Sequence, residues 1–160
     1  MSVKAILDEK GRNVITISPQ ATVREAAKVL HDNRIGAVIV LDRDDHIAGI
    51  LAERDIVGGI ARYGNDCLEK PVASIMWPNV YQCREETTIA ELMSLMSSKR
   101  ARHVPVEKDG RLGGIVSIGD VVKAHIRAIE REAEEIRKAN LLGADGVLLG
   151  RLERDYLRHD

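Results

Sequence analysis

Aromatic side chains are almost absent from this sequence. Phenylalanine does not occur, and aromatic residues make up only 2% of the 160 positions. A protein that binds single-stranded nucleic acid by stacking needs aromatic side chains, and this sequence has only one Trp and three Tyr. The charges nearly cancel, with 24 basic and 25 acidic residues. We therefore expect no nucleic-acid partner and no attraction to anionic membranes.

Cysteines are scarce as well, and long apolar runs are missing. Cys67 and Cys83 fit no zinc-ligand or Cys-x-x-Cys spacing, so we expect reduced thiols and no metal site. No apolar stretch approaches the roughly 18 residues of a membrane-spanning helix, and the first residues show no signal-peptide pattern. The sequence thus predicts a cytoplasmic protein. Its 44% hydrophobic residues suffice for an aliphatic core.

One ten-residue stretch of the sequence occurs twice in similar form. "AGILAERDIV" at 48–57 returns as "GGIVSIGDVV" at 113–122. Upstream of these stretches a shift of 66 residues aligns Thr22 with Thr88 and Arg34 with Arg100. The self-similarity predicts two structural copies, at about 14–60 and 80–126.

Each copy has the same order of patterns. A short strand precedes a helix that opens with Thr-x-x-Glu, the capping box that satisfies free backbone N–H groups. Two strands around a polar turn follow, and a helix closes the copy. The prediction is an α+β fold with two β-α-β-β-α repeats, packed with pseudo-twofold symmetry because a single copy buries too little surface. Residues 61–79 would link the repeats, and 127–160 would form a C-terminal helical extension.

An aspartate opens the last helix of each copy, at Asp55 and Asp120. Capping of that helix is sufficient reason for such an aspartate. We call the point where the last strand of each copy passes into this helix its corner. At the corner of the second copy, Ser117 and Gly119 accompany Asp120. A carboxylate, a hydroxyl and a helix N-terminus together suit the ribose and phosphate of a nucleotide. Arg54 could supply a phosphate partner at the first corner.

A basic pair precedes the middle strand of the second copy. Arg102 offers a forked donor to phosphate oxygens, and His103 follows it. A surface salt bridge for Arg102 and a structural role for His103 are the competing interpretations. Pro105 lacks a backbone donor, which favours a strand at an edge or beside an opening.

Taken together, "IGAVIVLD", "GILAERDIV", "RARHVPV" and "DGRLGGIVSIGDVV" resemble a tandem pair of cystathionine-β-synthase (CBS) domains, the Bateman module, over about residues 14–126. The resemblance implies two half-domains that bind adenosine ligands in the clefts between them. Family positions for ribose, phosphate and base contacts map onto the second-copy residues Asp120, Ser117, Arg102, His103 and Val104. Their first-copy counterparts are Asp55, Arg54, Ala37 and Val38, with Thr16 on the opening strand.

The first copy departs from the family pattern at Ala52, which stands where the second copy has Ser117. The second-copy site is therefore expected to be the better one. Weaker binding, binding of the other end of a dinucleotide, and an empty cleft remain open for the first.

The sequence offers no catalytic constellation, and we expect no enzyme activity. "DRDDHIAG" resembles a calcium loop in its alternation but lacks the glycine at its sixth position. The predicted function is a regulatory module that senses AMP, ADP, ATP or NAD(H) and signals to an unidentified effector protein, as a homodimer. A structural scaffold dimer with empty clefts is the alternative, since a heptad-like apolar stripe continues from Val122 to about Asn140.

Overall fold

The computed structural model describes residues 1–142. Residues Met1–Val121 form one compact unit, and the chain from Val122 onward belongs to a second. The predicted extension 127–160 is therefore described only in part, and the short helix or tail expected after Gly143 lies outside the described residues.

The first repeat has the predicted order of elements. Its bounds are β1 Thr16–Ile17, α2 Val23–Asn33, β2 Ala37–Leu41, β3 Ile47–Ala52 and α3 Glu53–Tyr63. Strand β1 pairs in parallel with β2, and β2 pairs antiparallel with β3, giving a sheet of order β1-β2-β3. Two short 3-10 helices follow α3 in the linker, at Gly64–Glu69 and Val72–Ser74.

The second repeat matches the first except at its opening strand. It contains α4 Ile89–Lys99, the antiparallel pair β4 His103–Lys108 and β5 Arg111–Ser117, and α5 Ile118–Leu141. The mixed α+β class, the paired repeats and the C-terminal helix are thus confirmed.

Pro105 explains the missing strand of the second repeat. Cys83 forms a single parallel bridge with Val106, in which Cys83 N–H donates to the Pro105 carbonyl. A neighbouring bridge at Gln82 would need an N–H from residue 105, and proline has none. Ile39 holds the related position in the first repeat, and there the second bridge, to Thr16, forms. The predicted opening strand of the second copy, at 79–84, is therefore reduced to one bridging residue.

Both predicted capping boxes are present. Thr22 Oγ1 accepts from Glu25 N–H at 3.1 Å, and Glu25 accepts from Thr22 N–H at 3.2 Å. The same exchange joins Thr88 and Glu91 at 3.1 and 3.0 Å. These reciprocal bonds fix where α2 and α4 begin.

A helix that the sequence analysis did not predict, α1 at Val3–Lys10, packs against the second repeat. Val3 N–H donates to the Thr87 carbonyl at 2.9 Å. The linker makes the related contact with the first repeat, where Val72 N–H donates to the Ala21 carbonyl at 2.7 Å. Each repeat is thus completed by the segment that precedes the other one.

Aliphatic side chains form the interior, as the composition requires. One buried cluster belongs to the first repeat and comprises Val23, Ala26, Leu30, Val38, Val40, Leu51, Ile56, Cys67 and Val72. Buried residues of α1 and the second repeat include Val3, Leu7, Ile89, Leu92, Met96, Val104, Val106 and Val116.

Candidate nucleotide-binding cleft

Both repeated aspartates cap the helix that they open. Asp55 Oδ2 accepts the N–H of Ala52 at 2.8 Å, and Asp120 Oδ2 accepts the N–H of Ser117 at 2.9 Å. The Ser117 hydroxyl returns the bond by accepting Asp120 N–H at 3.2 Å. Each cap uses one carboxylate oxygen. Among the described residues nothing donates to Oδ1 of Asp55, so that oxygen is available to a ligand.

A cavity of about 360 Å³ lies beside the Asp55 corner. The first repeat contributes the strand end and the first turn of α3, and the second repeat contributes the segment from the end of α4 into β4. The lining residues are Gly36, Ile50, Ala52, Glu53, Arg54, Asp55, Trp77, Val80, Tyr81, Lys99, Arg100, Ala101, Arg102 and His103. The cleft is therefore built from both repeats.

Positive charge dominates the lining of this cleft. Four cationic side chains meet two carboxylates, those of Glu53 and Asp55. The cations are Arg54, Lys99, Arg100 and Arg102. Within residues 1–142 none of the four forms an ion pair, although Lys99 Nζ lies 5.6 Å from the centre of the Tyr81 ring. Exposed cations left unpaired around a cavity are suited to a phosphorylated ligand.

Arg100 holds an unusual backbone conformation at this cleft. It follows α4 with φ of 51°, in the left-handed region that helix ends usually give to glycine. The Ala101 N–H closes the helix on the Met96 carbonyl at 3.1 Å. An arginine costs about 1 kcal/mol more than glycine in this conformation. Arg34 holds the same conformation at the repeat-related position, with φ of 53°.

His103 begins β4 and lies between the two corners. Burial lowers the pKa of its imidazole, and the positive charges of Lys10 and Arg102 lower it further. The carboxylates of Asp120 and Glu53 oppose this shift without reversing it. His103 is therefore neutral at pH 7 and can both donate and accept a hydrogen bond.

The Asp120 corner already holds a cation. Lys10 Nζ donates to Asp120 Oδ2 at 2.6 Å, and the two side chains are 33% and 20% exposed. Burial raises the pKa of Asp120, but the bonds from Lys10 and from the Ser117 N–H outweigh it and hold the pKa below its ordinary value.

The structure pairs the predicted site residues differently from the sequence analysis. Arg102 and His103 were assigned to the Asp120 site, yet they line the cleft of Asp55 and Arg54. The corner of one repeat faces the basic segment of the other, and linear order cannot show this exchange. The expectation that the second copy holds the better site stays a prediction.

The other predicted residues do not line this cleft. Ser117 and exposed Gly119 lie at the Asp120 corner, and Thr16 is exposed on β1. Ala37, Val38 and Val104 are buried, with 6%, 0% and 0% of their surface exposed. None of the three is among the lining residues, and their contact with a base stays a prediction.

Several lining residues escaped the sequence analysis. Trp77 was not among the predicted site residues, but it is 52% exposed and lines the cleft. Arg100 carried a usable signal, since it recurs at the repeat shift of 66 from Arg34. The similarity of "SVKAIL" at 2–7 to "PVASIM" at 71–76 could also have revealed α1 and hence Lys10.

The rejected calcium loop is a tight turn. Donor atoms of Asp42, Asp44 and His46 lie within 4.8 Å of one another, all exposed. Asp42 Oδ1 accepts the N–H groups of Asp44 and His46 at 2.8 and 3.0 Å. These turn bonds account for the cluster without an ion. Across the described part of the chain, no helix has the length and apolar content needed to cross a bilayer.

The fold and the cleft define a class of protein, a paired-repeat module with a cleft between the repeats that is lined by cationic side chains. Comparison with known proteins gives the family. The family model of the CBS domain matches residues 3–62 and 72–127, so the chain belongs to the CBS domain family and carries the domain twice. CBS pairs of this kind generally regulate rather than catalyse.

Solved and curated relatives agree with this assignment. The CBS-domain containing protein ATU1752 from Agrobacterium tumefaciens is 48% identical, with a TM-score of 0.76 over 78% of this chain and 99% of that one. The CBS domain pair of protein MJ0100, solved with 5'-methylthioadenosine and S-adenosyl-L-methionine, is 28% identical, with a TM-score of 0.70 over 78% and 95%. The mitochondrial protein CBSX3 of Arabidopsis thaliana is 30% identical over 87% of this chain and 70% of its own length.

Proposed function

We propose that this protein is a regulatory module that binds an adenine nucleotide in the Asp55 cleft. The observation that carries the proposal is the cleft itself, where an available carboxylate oxygen, unpaired cations and apolar surface surround one cavity of about 360 Å³. AMP, ADP, ATP and NAD(H) all present the required adenosine and phosphate groups. The adenosine-type ligands of the MJ0100 CBS pair support the same ligand class.

The lining suggests how each part of the nucleotide is held. Asp55 Oδ1 accepts the ribose hydroxyl protons while Oδ2 remains on the helix cap. Arg100 and Arg102 donate to the phosphates, because guanidinium groups match phosphate oxygens in geometry and charge. Ile50 and Val80 offer apolar surface to the base.

Binding between the repeats provides a regulatory mechanism. A ligand that contacts α3 of the first repeat and the α4–β4 segment of the second stabilises the arrangement in which both contacts form. A change in nucleotide concentration then changes the population of that arrangement. An effector protein that distinguishes the two populations would receive the signal.

The test replaces Asp55 with Asn and follows nucleotide binding by calorimetry. Asn keeps a carbonyl oxygen for the Ala52 N–H, but its amide cannot accept a ribose proton. Loss of charge-assisted hydrogen bonds of about 1.5–3 kcal/mol predicts binding weaker by about 10- to 100-fold.

Asp120→Asn is the matched control, since it preserves the equivalent cap at the other corner. We expect it to leave the affinity of the first cleft unchanged. Wild-type protein that binds no adenine nucleotide, or Asp55→Asn protein that binds as tightly as wild type, would disprove the proposal.

Helix α5 favours a second candidate function, a scaffold dimer. Ile126, Ile129 and Ile136 are between 50% and 56% exposed and follow the predicted apolar stripe. Sedimentation of wild type and of Ile129→Asp distinguishes the candidates. A dimer that depends on Ile129, in protein that binds no nucleotide, supports the scaffold.

A further inference from the structure

Helix α1 brings a lysine onto the aspartate of the second corner. Leu7 is fully buried, and its side chain supplies the atoms nearest to Gly114 of β5. The Lys4 N–H donates to the Glu85 carbonyl at 2.9 Å. With α1 held in this way, its last residue, Lys10, donates to Asp120 Oδ2 at 2.6 Å.

The first corner has no equivalent of Lys10. In the segment that completes the first repeat, Val80 follows Val72 by eight positions, whereas Val14 follows Val3 by eleven. The shorter segment forms only a three-residue 3-10 helix, Val72–Ser74, in place of the eight-residue α1. Lys10 belongs to the additional residues of the longer segment. Only the Asp120 corner therefore receives a lysine from the segment that completes its repeat.

Three of the four cations of the Asp55 cleft are missing from the repeat-related positions, and only Arg100 has a cationic counterpart, Arg34. Shifts of 65 or 66 residues replace Arg54 with Gly119, Lys99 with Asn33 and Arg102 with Gly36. The second corner thus offers a ligand few cations for phosphate. What it retains is a carboxylate whose Oδ2 accepts from both the Ser117 N–H and the Lys10 ammonium group.

We propose that Lys10 determines which corner binds nucleotide, so that one chain binds one adenine nucleotide, at Asp55. The proposal rests on the proposed function. The Lys10 ammonium group neutralises the charge of Asp120, so the second oxygen of this carboxylate is a weaker acceptor for ribose hydroxyls than the unpaired carboxylate of Asp55. Removal of the ammonium group restores the full charge of Asp120 as a ribose acceptor.

Calorimetric titration with AMP tests this role. AMP carries a single phosphate, so its binding depends less on cations than the binding of ADP or ATP does. Wild type is expected to bind one AMP per chain, and Lys10→Met two. Lys4→Met is the matched control: Lys4 lies on the same helix but pairs with Asp8, so this variant is expected to bind one. Adding Asp120→Asn to Lys10→Met is expected to return the number to one.

The outcomes separate the inference from the proposed function. The role of Lys10 is overturned if wild type binds two AMP molecules per chain, or if Lys10→Met and Lys10→Gln both bind only one. Neither result contradicts nucleotide binding in the Asp55 cleft. Wild type that binds no AMP overturns the proposed function and this inference with it. Thermal unfolding of each variant shows that the titrated protein is folded, and Lys10→Gln replaces Lys10→Met if the latter is not.

Discussion

The contact between Gly114 and Leu7 permits a quantitative test of how α1 is held on the second repeat. A Cβ atom added at Gly114 would lie 2.9 and 3.0 Å from the two terminal methyl groups of Leu7. Carbon atoms pack at about 3.5–4.0 Å, so Gly114→Ala requires a shift of about 0.5–1 Å. Overpacking of this size costs about 1–3 kcal/mol of unfolding free energy. Leu7→Ala, which empties a fully buried position, costs about 3–5 kcal/mol.

The double variant gives the decisive measurement. Leu7→Ala removes the methyl groups with which the new Cβ collides, so the double variant is expected to recover most of the cost of Gly114→Ala. Urea unfolding followed by circular dichroism measures all four proteins, and the coupling is expected to be about 1–3 kcal/mol. Purely additive free energies would refute the packing of α1 on β5.

The first repeat provides an internal control with a different outcome. A Cβ at Gly49 would meet Met76 Sδ at 2.7 Å but also the Trp77 carbonyl oxygen at 2.8 Å. That oxygen is fixed by the Ile50 N–H at 3.0 Å. Met76→Ala therefore cannot relieve Gly49→Ala fully, and its coupling is expected to be smaller than that of the Leu7 pair. Equal couplings would contradict the role assigned to the backbone oxygen.

Two further predictions concern phosphate and thiol chemistry. At low ionic strength ATP is expected to bind about 10-fold more tightly than AMP, and the difference is expected to shrink as salt screens the cations. Calorimetry should show that Arg100→Ala removes this preference and that Arg34→Ala retains it. Equal affinities of the wild type for ATP and AMP would refute the prediction. Burial raises the pKa of Cys83 to about 11, so only about one thiol in a thousand is ionised at pH 8. Ellman's reagent is therefore expected to react slowly with folded protein and quickly in denaturant, and rapid reaction at Cys83 in the folded state would contradict its burial.

Local sequence patterns determined most of the fold. Thr-x-x-Glu defined the starts of α2 and α4 because the capping box depends only on residues within one turn. The internal repeat predicted paired β-α-β-β-α units because the same pattern of apolar residues must form the same half-core twice. The loss of the opening strand at residues 79–84 also has a local cause, since Pro105 has no N–H to donate to the sheet.

Only the tertiary structure decided which residues share a cleft. The sequence identified Asp55, Arg102 and His103 as candidates, but it grouped the basic pair with Asp120. Packing places the corner of one repeat against the basic segment of the other, and it brings Lys10 across 110 residues of chain to Asp120. A sequence pattern reports the neighbours of a residue along the chain, whereas a binding site depends on neighbours in space, and these are set by the burial of apolar faces far from the site.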